Sequence, residues 1–436
     1  MTSRESVSQF DLLVVGSGPG GASVARGAAE RGLKVCLLEW GSKAPLNGSF
    51  SQMAAMAAVP GKGAFFHADG SLLLRAITLG GSSAINFATI MDPPDWFNDY
   101  GIDLKPHVAR VRALLPAHLL PDELIGPLAK RIAQGAASLG QSWQKLEKLI
   151  RPALCRTDCH RCGYGCPYGA KWSARDFAHE AAQLGAVLHT NAKVTRVLQQ
   201  NGHVIGVECR QASRRVHLKA PKVVLAAGGI GSVQLLQQAG FSEAGCGYFV
   251  DPVIAVMGSL PASIAGDIGA SGREVPMTQG MYLHQAGVSL ADLALPKPLF
   301  QAFCAQKGRL DKLSSHGNTL SIMVKIRDDL GGRIGKHWLN KPLTEQDKAK
   351  FNQGVALATE ILKAAGADNV FKSHHFAAHP GGGAAIGKLV DSELETELQG
   401  LYVCDASVIP RPWGLPPSLT LMSLGERLAS RLAAVG

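Results

Sequence analysis

Four cysteines fall within one short stretch, Cys155, Cys159, Cys162 and Cys166, in the pattern C-x3-C-x2-C-x3-C-P. Thiolates this close in sequence can wrap a soft metal or an iron-sulfur cluster without waiting for distant parts of the chain, and the end of the run, through Pro167, matches the tail of a ferredoxin-type sequence. An iron-sulfur cluster, 4Fe-4S or 3Fe-4S, with these four residues as metal ligands is the preferred reading. A cysteine loop holding no metal is the alternative. Zinc fits less well, because its cysteine pairs are usually separated by a longer loop. A second group is Gly16, Gly18 and Gly21 in G-x-G-x-x-G, with Glu39 at the spacing of an acidic ribose ligand. Its chemistry is binding: the first glycine permits a tight turn, the second lets a pyrophosphate approach the backbone, and the third lets a helix pack close to a strand.

These groups need elements to position them. Residues 12–15 and 35–38 are apolar runs and 22–31 is rich in small residues and helix formers, so 11–39 reads as strand, turn, helix, strand, with free helix amides facing a phosphate. The stretch 40–69 is irregular, with one short helix in MAAMAAV, and RAITLGGSSAIN at 75–86 concentrates backbone flexibility and hydroxyls. Residues 104–150 read as amphipathic helix broken at Pro116 and Pro121, and 174–184 as another helix. Alternation around the Asn201-Gly202 turn predicts hairpins, and 223–225 is a strand running into small residues. From about 240 to 370 weaker alternation, as in GNTLSIMVKIRDD, is mixed with helices near 298–312 and 345–365, and a last helix spans 418–434.

The length of 436 residues suits two domains, and 46% apolar with 18% charged residues and 50 glycines suits a glycine-rich α/β enzyme rather than a disordered chain. The formal charge of +10 is spread along the chain with no nucleic-acid motif beside it, so a basic surface that attracts phosphate-bearing cofactors is expected, and no nucleic acid. No apolar run is long enough to span a membrane. The segment MTSRESVSQF has no signal-peptide core, and a cytoplasmic location is expected.

In combination these segments resemble the glucose-methanol-choline (GMC) oxidoreductases, a family of FAD-dependent enzymes. The likeness rests on VVGSGPGGASVARGAAERGLKVCLLE near the N-terminus, LGGSSAIN at 79–86, VVLAAGGIGSVQLL at 223–236, and a C-terminal block from His379 through CDASVIP to SLTLMSLGERLA, all in the family's order. It implies a discontinuous Rossmann-like FAD-binding domain from residues 1–103, 151–239 and 371–436, carrying the cysteine loop at 155–169. It further implies an α+β substrate or cap domain on an antiparallel sheet from 104–150 and 240–370. By position, Gly16, Gly18, Gly21 and Glu39 would hold the ADP half of FAD, and Gly81, Ser82 and Asn86 would lie near the pyrophosphate or ring. Ala227 and Gly228 would face the adenosine side, and Asp405 and Ala406 the flavin end.

The resemblance also implies a reaction, in which a hydride leaves a carbinol carbon for flavin N5 while a histidine takes the hydroxyl proton. His379 matches that histidine, and its reference pKa near 6.5 suits a base at neutral pH. His374 and His375 lie nearby in sequence as potential helpers. The family's second His or Asn, ahead of the final helix, is here replaced by Pro416, with Ser418 or Thr420 as conjectural substitutes. The expectation is an FAD-dependent dehydrogenase of a small-molecule alcohol, passing electrons through the cysteine-bound cluster to an external carrier or partner protein. A flavin-dependent reductase of a carbonyl or alkene is the alternative within enzymes, and a non-catalytic flavin electron-transfer partner the alternative outside them.

Overall fold

The computed structural model describes residues 10–60, 62–336, 338–412 and 414–434. Residues 1–9, on which the reading of the N-terminus as leaderless rests, and Trp413 of the RPWGLPPS turn lie outside the described residues.

A five-stranded parallel sheet occupies the middle of the larger core, in the order Leu401–Val403, Lys222–Leu225, Leu12–Val15, Val35–Leu38, Val187–His189. Leu12–Val15 and Val35–Leu38 are buried at every position, which is why they read as continuous apolar runs instead of alternating ones. Each such Leu or Val contributes about 1.5–3 kcal/mol of burial. The helix Pro19–Glu30 covers one face and lies against both Ser418–Ala434 and Ala174–Gln183. Its small residues make this possible: a Cβ at Gly27 would collide with Glu426 and Ala429 of the C-terminal helix. Beyond the sheet lies a three-stranded antiparallel layer, Ala192–Gln200, His203–Gln211 and Arg214–Lys219, turned at Asn201 and Gly202, both with positive φ (51° and 77°) as a two-residue hairpin turn demands.

A second sheet is antiparallel throughout, in the order Asp368–Lys372, Val253–Ser259, Thr319–Ile326, Val288–Asp292, Gln279–Leu283, Gln144–Lys145. One face packs on the long helix Glu345–Ala364, whose start is fixed by a reciprocal cap between Thr344 and Asp347. The opposite face, with Val253, Ala255, Met257, Ala291 and Met323, meets Phe300 and Leu295 in a separate apolar cluster. Thr319–Ile326 is buried on both faces, so the alternation expected of GNTLSIMVKIRDD separates two buried surfaces and not core from water.

The stretch 104–150 is less helical than its pattern predicts. Only Lys105–Arg112 and Pro127–Ser138 are α-helices, and Ala117–Leu119, Gln144–Lys145 and Glu147–Leu149 are short strands. Pro116 and Pro121 follow the first helix and bar its continuation, and Gln144–Lys145 pairs as a strand with Gln279 and Gly280, as Glu147–Leu149 does with Ala117–Leu119. The segment is also shared: Lys105–Arg112 packs on the C-terminal helix, with Arg110 paired to Glu426 at 2.7 Å, whereas Pro127–Ser138 packs on Glu345–Ala364.

Candidate functional site

The carboxyl ends of four parallel strands open into one cavity: Val15 runs into Gly16, Leu38 into Glu39, Leu225 into Ala226 and Val403 into Cys404-Asp405. In open α/β sheets, ligands bind at this edge, because helix amides converge there. The cavity is about 1170 Å³ and runs from Glu39 and Lys193 to His379 and Pro416. That exceeds the roughly 300–1,000 Å³ of a pocket for one small ligand.

The first turn has the three glycine environments its motif demands. Gly16 sits at φ +103°, and a side chain there would strike the carbonyl of Ala226; a Cβ on Gly21 would strike the carbonyl of Gly16. At Gly18 nothing lies within 4 Å of where a Cβ would point, so the approach to the backbone is open. Gly18 caps Pro19–Glu30 with no side-chain hydrogen bond, which leaves the helix amides for a ligand. Glu39 is buried and accepts from the Ser17 amide (3.1 Å), the Ser17 hydroxyl (2.6 Å) and the Gly41 amide (2.6 Å). Burial pushes its carboxyl above the usual range, opposed by those hydrogen bonds and by the charge of Arg75. Arg75, itself pushed down to about 10 by burial, lies 5.7 Å from the Trp40 ring and 4.9 Å from that of Phe65.

The second glycine segment lands on the first. Gly80 donates to the Ser17 hydroxyl at 2.9 Å, and a side chain on Gly81 (φ +56°) would come within 3.2 Å of the Gly18 Cα. Ser82 lines the cavity and its hydroxyl accepts from the Ala76 amide (3.2 Å); Asn86 accepts from the Ala88 amide (3.0 Å). Two buried lysines hold this segment in place, and nothing in the reading of the sequence singled them out. Lys171 Nζ donates to the carbonyls of Ala84, Asn86 and Cys162, each at 2.8 Å, and of Ser83 at 3.2 Å. Lys148 Nζ donates to the carbonyls of Phe87, Pro276 and Met277 and to the Thr89 hydroxyl.

Ala227, Gly228, Asp405 and Ala406 are brought to one place at the edge of the cavity. Asp405 accepts from the Gly228 amide (2.9 Å), the Ser232 hydroxyl (2.5 Å), and the Ser407 amide and hydroxyl (2.9 and 2.6 Å). With both oxygens occupied, Asp405 ties the Gly228–Ala239 helix to the turn after Val403. The Ala227 amide donates to Ser232, and Gly382 donates to the Ala406 carbonyl.

At the far end His379 lines the cavity with a side chain 29% exposed, and its Nδ1 lies 3.3 Å from Asp251 Oδ2. Both residues have positive φ, +41° and +43°, a cost that residues other than glycine bear mainly where a site fixes them. Asp251 is buried and also accepts from the Gly414 amide at 3.1 Å. Burial, then the nearby charge of Lys325, push the His379 pKa below its ordinary value, and Asp251 opposes the shift. Asp251 and Lys325 were absent from the expected site. A lysine within the otherwise apolar TLSIMVKI was the one sequence signal for the latter. His375 is directed to Asp69 (3.0 Å) and His374 to Lys307 (3.3 Å), so neither meets His379. Pro416 and Ser418 line the cavity, whereas Thr420 does not, its hydroxyl being buried without a hydrogen bond.

Models of the N-terminal and C-terminal parts of the GMC oxidoreductases match residues 10–255 and 333–425. The chain belongs to the GMC oxidoreductase family. Its fold, a Rossmann-like FAD-binding domain with an antiparallel-sheet second domain, agrees with that of solved GMC flavoenzymes. A pyridoxine 4-oxidase from Mesorbium loti superposes with a TM-score of 0.75 at 17% identity, covering 97% of this chain and 99% of the other. A formate oxidase variant from Aspergillus oryzae gives 0.74 at 15% identity, covering 98% and 99%. Among sequences, a long-chain-alcohol oxidase of Arabidopsis thaliana is 24% identical over 98% of this chain and 67% of its own length. An uncharacterised GMC-type oxidoreductase of Mycobacterium tuberculosis is 26% identical over 98% and 76%.

The cysteine loop departs from expectation. Among the described residues no group of three or more His, Cys, Asp or Glu side chains is arranged to hold a metal ion. Cys155, Cys159, Cys162 and Cys166 are free thiols; burial first, then the neighbouring thiols, push the pKa of Cys155 (to about 12), Cys159 and Cys162 upward. The physical reason lies in the backbone: Cys162 is in a short 3-10 turn, Arg161–Tyr164, whose carbonyl side is tied by Lys171 to the glycine segment, while Cys155, Cys159 and Cys166 lie on irregular chain around it. The loop lines the cavity through Gly163 and Tyr164. No helix among the described residues is long and apolar enough to cross a membrane.

Proposed function

We propose that this protein is an FAD-dependent oxidoreductase that oxidises an alcohol carbon of a small, largely apolar substrate, with His379 as the base. The observation that carries this reading is the continuity of one cavity from the open backbone at Gly18 to the His379–Asp251 pair. The unpaired amides at the start of Pro19–Glu30 and the uncovered face of Gly18 fit a pyrophosphate, and Glu39 and Arg75 fit the adenosine part. Bound FAD supplies the hydride acceptor. Asp251 accepts the Nδ1 proton of His379, which leaves Nε2 free to take the proton of a substrate hydroxyl. The lowered pKa keeps the imidazole neutral and ready for that proton at neutral pH. Met277, Leu295, Phe303 and Met323 give the far end an apolar lining.

The cysteines take no step in this reading, since their arrangement does not fit a cluster. Anaerobic mixing of the holoprotein with aliphatic and aromatic alcohols is expected to bleach the flavin absorbance. No bleaching across such a panel would overturn the oxidation reading, and iron and sulfide analysis of the same preparation tests the cysteine loop.

A further inference from the structure

Lys325 is 3% exposed and lies on Thr319–Ile326, the strand between Val253–Ser259 and Val288–Asp292. Strand alternation sends Ile322, Val324 and Ile326 toward the long helix and Met323 and Lys325 toward the cavity, whose wall includes both. Among the described residues the Lys325 ammonium makes no hydrogen bond or ion pair. The other buried lysines differ. Lys148 and Lys171 each donate to four oxygens or more, and Lys341 pairs with Asp328 at 3.2 Å and Asp347 at 3.7 Å. A buried cation without an acceptor is costly, so a fold that keeps one facing a cavity has a ligand to gain by it.

The surroundings restrict that ligand. Val253 and Ser289 are the strand neighbours of Lys325 and neither titrates; the charged groups facing it are Asp251 and His379, with Asp328 and Tyr282 farther around Asp251. The rest of the cavity wall is largely apolar, and Pro416, at the place where the family carries a second polar residue, can neither donate nor accept through its side chain. The strand also falls between the two segments matched by the family models, so nothing in those matches assigns Lys325.

We propose that Lys325 is the oxyanion-binding group of this cavity, taking the oxygen of the substrate as negative charge develops on it and, by the same chemistry, the carboxylate of an apolar-tailed acid. The first half rests on the oxidation reading. In that step the O–H bond breaks and its proton passes to His379 Nε2; the C–H bond breaks and its electron pair leaves as hydride to the bound cofactor; the carbonyl forms and Lys325 keeps its proton throughout. Burial pushes Lys325 down to about 8, so its charge is present at neutral pH and is lost as pH rises through that value.

The test is titration of the FAD-loaded protein with octanoate, octan-1-ol and octylamine, followed by perturbation of the flavin spectrum. Octanoate should bind about tenfold or more tightly than octanol, a ratio expected of one charge-assisted hydrogen bond, and should weaken as pH rises through about 8. Lys325→Met should remove that preference and leave octanol binding within about twofold, while Lys325→Arg should keep the preference and lose the alkaline weakening. Octanoate binding no tighter than octanol in the unaltered protein overturns the proposal even if Lys325→Met fails to hold FAD. Equal loss of octanol and octanoate in Lys325→Met also overturns it. A selective octanoate site in a protein whose flavin no alcohol bleaches would leave Lys325 as an oxyanion site and sink the oxidation reading; bleaching without octanoate preference would do the reverse.

Discussion

At the nucleotide end of the cavity the groups that face a ligand are backbone: the open Cα of Gly18, the uncapped amides of Pro19–Glu30, and the close pass of Gly81 over Gly18. The buried carboxylates there are already satisfied, Asp405 by four donors and Glu39 by three. At the other end the groups are side chains on irregular or antiparallel backbone: His379 and Asp251 in left-handed conformations, and Lys325 without a partner. Steric necessity builds the first end, and any chain binding a pyrophosphate this way must place glycines alike. The second is built by electrostatics among residues far apart in sequence, which many chains could solve differently.

The sharpest way to break this contrast is at the glycines. Gly21→Val should destabilise the fold by more than about 3 kcal/mol and yield protein without flavin, because its side chain has only the Gly16 carbonyl to enter. Gly18→Ala, at φ −62° with open space ahead, should fold normally and weaken FAD binding by about tenfold, read by flavin release on dilution. If the two variants behaved alike, sterics would not be what defines this end.

At the side-chain end the order of effects should reverse, with chemistry lost and binding kept. His379→Ala should retain FAD and lower kcat/KM by about 10²–10⁴-fold; unchanged turnover would remove His379 as base. Asp251→Asn should cost about tenfold in kcat through a less well held imidazole. It also carries a sign. Asp251 raises the His379 pKa, so its neutralisation should move the acid limb of the kcat/KM profile to lower pH, starting from a limb already below the usual histidine value. A limb moving upward would contradict the pairing. Least in size, Thr420→Val should stabilise the protein by about 1 kcal/mol in denaturant unfolding, since the buried hydroxyl it removes has no hydrogen bond.

Local stereochemistry explains how much of this was legible beforehand. The strand-turn-helix of 11–39, the Asn201-Gly202 hairpin and the final helix lie where periodicity and glycine chemistry put them. The helix expected through 104–150 is cut short because Pro116 and Pro121 stop it and because its second half pairs with Gln279 and Gly280, a partner more than a hundred residues away. The cysteine spacing was legible but ligation was not: spacing brings the thiols near one another, and only the folded loop shows that no metal-holding group is arranged among the described residues.

The sequence by itself determined the nucleotide end, since Gly16, Gly21 and Gly81 are required by backbone positions that other residues occupy only with collision or strain, and Gly18 leaves its backbone open to a ligand. Only the tertiary structure decided that Asp251 turns toward His379, that Asp405 joins Gly228, and that Lys325 points into the cavity with nothing to receive its protons. Those are distances between segments brought together by burial, and a hydrogen bond or a buried charge leaves no periodic trace along the chain.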